Sequence, residues 1–466
     1  MKMIVICRRL AIAAAVLAVG VAACGGAPNS GSGAGQGADD SDGGGTSSNQ
    51  RAGRDRDGTG GEPGALNWPD EPPAHAQPVL RAVITEHDAG KVHVIDVASG
   101  DPVRTLRVDG QATVELAGDD THLILTQAAE DVTHLVDAGI RWVDHGGHVD
   151  PAHVEPEVAG SEPTENPVHV VRYADQVAVF ADDEGAAYVW RQGKNGLDPE
   201  PVRTLRTERP HHGFGIPLPD GRVLAGLPDE QRRNPLPVGV RLYDEHDGRV
   251  RDFRGCPALH GEYGHEGTFV FGCADGALVL EQHDDHWHVD RIPNPDEEPG
   301  RSDRARARSG EEPESGARKG STRLGAFYGG GDDQIIGTFG NDAMALVDLE
   351  KQRIERIELP ASRVDAIWDP YWEQVVVLTS DGKLHAIDPH TGELRNSTQV
   401  LSQVEISSDP TEPRPSISTG ENWIYLTDPQ QQKLIEVGIT SEGFEPRRAK
   451  DLGFVPYSIG VLGMAG

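Results

Sequence analysis

Residues 141–153 read RWVDHGGHVDPAH, placing three histidines and two aspartates on a stretch broken by Gly146, Gly147 and Pro151. A neutral imidazole nitrogen is the commonest protein ligand for zinc, so His145, His148 and His153 together form a candidate metal loop. Asp144 is positioned to orient one imidazole through its other ring nitrogen. The alternative is a polar connection that happens to contain histidine. Further candidates stand ahead of β-rich runs: His169 in PVHVVRYADQVAVF, His211 and His212 in HHGFGIPLPDGRVLAG, and His260 with Glu262 in LHGEYGHEGTFVFG. Each by itself also fits a hydrogen-bonding core histidine. In HDDHWH, His286 and His288 fall on one side of a strand, which suggests a second, weaker metal site or a solvated edge. Nineteen histidines against four methionines favour nitrogen and oxygen ligation over thioether copper sites.

The elements that must position these residues recur along the chain. A short β-rich run, an acidic residue, a Gly-containing turn and a second run appear as VHVIDVASGDPVRTLRV and LHAIDPHTGELRNSTQV. Looser copies include MALVDLEKQRIERIELP, VRLYDEHDGRVRDFRG and ALVLEQHDDHWHVDRI, with THLVDAGIRWVDHG as a distorted one. Period-two alternation and turns of Gly, Asp and Asn make these strands and hairpins. Eight copies at about 49 residues each, with almost no helical signal, predict an all-β fold: a β-propeller of eight blades, with seven as the alternative. A pair of stacked sandwiches would not explain the recurring acidic-turn phrase. If the histidine-bearing runs are innermost strands, imidazoles of consecutive blades converge on one end of the channel. Four donors would then close around one tetrahedral cation.

The N-terminus sets the compartment. Lys2, Arg8 and Arg9 precede an apolar stretch too short to span a membrane, which ends in VAAC; residues 1–23 therefore read as a secretory signal. The residues before Cys24 resemble a bacterial lipobox, which implies a lipidated Cys24 and a protein anchored on the outer face of the cell membrane; ordinary cleavage nearby is the alternative. Residues 24–77, dominated by Gly, Ser and Asp, are expected to be a disordered tether to a propeller at 78–466. Residues 294–323 read as a disordered surface insertion. The net charge of −32 argues against nucleic acid as a partner. With Cys7 in the signal and Cys24 taken by lipid, Cys256 and Cys273 remain. In an exported chain they most simply pair, with a thiolate zinc site as the rival.

WVDHGGHVD, NPVHVV and CPALHGE followed by FGCADGALVL resemble the periplasmic zinc metallochaperones of the AztD type, a likeness that extends more loosely over residues 78–466. It implies a β-propeller that binds Zn2+ and hands it to the solute-binding protein of a zinc ABC importer. His145, His148, His169 and His260 match the family's ligand positions, with His153, His212, Glu262 and Asp144 as further candidates and Cys256–Cys273 as the implied disulfide. The histidine-rich N-terminal segment expected of relatives is reduced to His75. Two other functions stay open: a lipid-anchored propeller scaffold with incidental histidines, and a metal-dependent hydrolase. No nucleophile elbow or phosphate loop supports the hydrolase.

Overall fold

In the computed structural model the described residues are 79–463, apart from 147–148, 194–195, 232–234, 284–285, 296–322 and 330–333. The signal segment, Cys24, the tether with His75, His148 and nearly all of the 294–323 insertion lie outside them. The described chain forms eight antiparallel sheets of propeller-blade type, seven of four strands in meander order and the third with a further short strand, Gly196–Leu197, plus a separate two-stranded hairpin. The eight-bladed propeller expected from the repeat is borne out. Ring closure is circular: the last strand, Pro456–Leu462, is the innermost strand of the first blade and pairs with Arg81–Glu86 near the start of the propeller.

The recurring acidic residue has a local cause. Asp96 accepts from the Ser99 backbone N–H, and Asp388 from those of His390 and Thr391. Each aspartate closes the turn between the third and outer strands of its blade by a side-chain-to-backbone bond. Alternating Val, Ile, Leu and Phe then face the neighbouring blades. Phe214, Leu242, Leu259, Phe271 and Leu280, for instance, form one buried cluster between adjacent sheets.

The two faces of the ring differ in what they carry. Counted outward from the channel every blade starts at an inner strand, and in meander order the loops that lead into inner strands all lie on one face, as do the turns joining each blade's second and third strands. Turns joining third to outer strands lie on the other. The distorted repeat is explained by this. Between the third strand Val132–Asp137 and the outer strand Glu157–Pro163 of the second blade, an extra hairpin, Ile140–Asp144 and Val149–His153, is inserted. It leaves the propeller from the face opposite the inner-strand starts.

Candidate metal centre

Three consecutive blades bring three histidines together at the starts of their inner strands. His169 lies at the beginning of Pro167–Tyr173, where a register shift between Pro167 and His169 interrupts the ladder; such a bulge re-aims the side chain beside it. His212 sits in the loop ahead of Gly215–Pro217, fixed by a backbone bond to Pro235 O. His260 precedes Glu262–His265 and is held by a bond from its N–H to Gly272 O. Ligand nitrogens of His169, His212 and His260 all lie within 4.8 Å of one another.

The loop carrying His260 is locked from both sides. Cys256 and Cys273 form the expected disulfide, with both residues fully buried, and tie the loop to the neighbouring strand. Gly261 has φ +87, and a Cβ there would lie 2.0 Å from Gly325 O. Only glycine fits, and it lets His260 and Glu262 approach the site from successive positions.

Carboxylates set the tautomers. His212 Nδ1 donates to Asp182 Oδ2 at 2.6 Å, and His169 Nδ1 to Glu262 Oε1 at 3.2 Å. Their Nε2 atoms therefore face each other, 3.0 Å apart. Backing an imidazole with a carboxylate through its far nitrogen is how metal-ligating histidines are oriented and made more basic. His260 stacks on His212, with ring centroids 5.3 Å apart, and its Nδ1 is buried without a hydrogen-bond partner. Burial, with the His169, Arg323 and His212 charges adding to it, holds the His260 pKa well below that of free imidazole. Burial also lowers His169, but the Glu262 carboxylate, with Asp182 and Glu115 adding, more than offsets it, so its pKa is raised. The cluster thus combines a neutral imidazole with two carboxylate-backed ones, a donor set suited to a borderline divalent cation such as zinc.

The sequence candidates divide accordingly. His169 and His260 come together, joined by His212 with Glu262 beside them. His145 and His153 do not join them: they sit on the inserted hairpin at the opposite face. His145 is exposed there, and the Nδ1 of His153 is taken by the Arg81 guanidinium, which also pairs with Asp96. His148 lies outside the described residues, as does the side chain of Asp144. His211 contacts the carbonyls of Arg209 and Gly226 instead. His286 and His288 lie on the exposed outer strand of the fifth blade. Sequence reasoning missed Asp182. Its signal was faint: an acidic residue following Gln176–Ala181, in the same blade as His169.

No family model matches the chain. The zinc chaperone AztD of Citrobacter koseri is 29% identical over 389 residues, covering 83% of this chain and 87% of that protein. The crystal structure of Citrobacter koseri AztD matches with a TM-score of 0.70 at 27% identity, over 83% of this chain and 99% of that one. Apo AztD from the same organism gives 0.69 with the same identity and coverage. In sequence and in fold this chain resembles the AztD-type zinc chaperones, the likeness its motifs had implied.

Proposed function

We propose that this protein is an extracytoplasmic zinc metallochaperone that holds Zn2+ between His169, His212 and His260 and passes it to the solute-binding protein of a zinc ABC importer. The observation that carries the reading is the pair of facing Nε2 atoms, each backed by a carboxylate, beside a third imidazole whose buried Nδ1 has no partner. A buried polar atom without a partner is costly, and ligation around the cluster would draw the three rings into one shell. Likeness to a zinc chaperone along most of the chain supports the same reading.

Three rigid donors leave one tetrahedral position open. An incoming protein ligand can occupy it and then displace the imidazoles one at a time, so release needs no unfolding of the propeller. Export fits the buried Cys256–Cys273 disulfide. A lipidated Cys24 with a long polar tether would keep the propeller near a membrane-bound importer while leaving it free to reorient.

Zinc-loaded protein mixed with the apo solute-binding protein, followed by separation and metal analysis, tests this function. Transfer faster than spontaneous zinc dissociation is expected. Binding of less than about half an equivalent of zinc after dialysis would overturn the reading and favour a scaffold.

A further inference from the structure

We propose that His283 and His286, the paired ends of the strands Gly276–His283 and His286–Pro293, form a second zinc-binding site, with Glu281 and His288 on the same face. The two strands pair without a break from Gly276 opposite Pro293 to His283 opposite His286. Directly opposed residues share a face, and so do residues two apart. His283, His286, Glu281 and His288 therefore stand on one side, while the intervening Trp287 is buried on the other and fixes the strand.

The His283 and His286 rings have centroids 5.6 Å apart and are inclined by 30°. His283 Nε2 lies 3.5 Å from Glu281 Oε2, and His288 Nε2 lies 3.0 Å from Asp290 Oδ2. This is the same chemistry as the buried cluster, imidazoles with carboxylates at hand, built on a surface. The sequence pattern pairs His286 with His288; the hairpin register instead makes His283 its partner. With side chains of His283 and His288 exposed to 55% and 57%, the site takes zinc from solution directly and holds it more weakly than an enclosed one. It lies where the third and outer strands of the fifth blade end and begin, on the face away from the inner-strand starts, so the two sites fill independently.

Zinc titration of the full-length protein against a competing chromophoric chelator is expected to show two binding events, one tight and one weak. His283→Ala/His286→Ala should remove the weak event and leave the tight one and the melting temperature unchanged. His169→Ala/His212→Ala should do the reverse. A wild-type protein with no weak event, or a weak event that survives His283→Ala/His286→Ala at unchanged affinity, overturns this proposal. Survival of the tight event in His169→Ala/His212→Ala counts instead against the buried site.

Discussion

Residues 145–153 carry three histidines side by side in sequence, whereas His169 and His212 are 43 residues apart, yet the distant pair is the one whose ring nitrogens meet. The difference lies in what holds each set. His169, His212 and His260 stand at equivalent places in three consecutive blades, so the ring geometry itself delivers them to one point. Each is fixed by a bulge, a backbone bond or a disulfide-tied loop. The hairpin at 140–153 has two short strands of its own, leaves from the other face, and gives its last imidazole to Arg81. Histidine density along the chain does not by itself bring donors together; in the cluster, two of the three rings are already oriented by carboxylates at their far nitrogens.

The contrast can be broken by substitution. Replacing His169, His212 and His260 together by Ala should abolish tight zinc binding while the propeller stays folded, read by chelator competition alongside circular dichroism. Removing the disulfide as Cys256→Ser/Cys273→Ser should cost about 3 kcal/mol for a separation of 17 residues, measured by denaturant unfolding. It should also weaken zinc binding, because the His260 loop loses its tether. Asp182→Asn should lower zinc affinity by about 10- to 100-fold through His212, with little change in stability.

Acid should act on the same cluster with a definite sign. The raised pKa of His169 means that it takes up a proton at a pH above the 6.5 of a free imidazole, and zinc must displace that proton. Zinc affinity should therefore begin to fall at a higher pH than protonation of a free imidazole would dictate, by about tenfold per pH unit for each proton displaced. Calorimetry in buffers of different ionisation enthalpy counts the protons released. The smallest effect sharpens the comparison most: His145→Ala/His153→Ala should leave the tight site unaltered. A loss of tight binding there would put the hairpin back in the centre.

The propeller was legible because its signals are local. Period-two strand pairs recur in all eight blades, and an aspartate closes the turn after the third strand in several of them, as Asp96, Asp244, Asp348 and Asp388 do. The final strand's return to the first blade was not visible, since Pro456–Leu462 pairs with Arg81–Glu86 across the whole length of the fold. His169 and His260 could be singled out because each precedes an inner strand. His212 carried the same signal but was blurred by its neighbour His211, and Asp182 looks like any acidic turn residue until the blades close. His283 was overlooked because a hairpin register, not spacing along one strand, makes it the partner of His286.

Anomalous diffraction at the zinc edge from crystals of the protein loaded with one equivalent of Zn2+ tests the central claim most directly. A single strong peak among His169, His212 and His260, about 2.0–2.1 Å from a nitrogen of each ring, is the result predicted. A strong peak on the hairpin at His145 and His153, with none among the three inner-strand histidines, would contradict it.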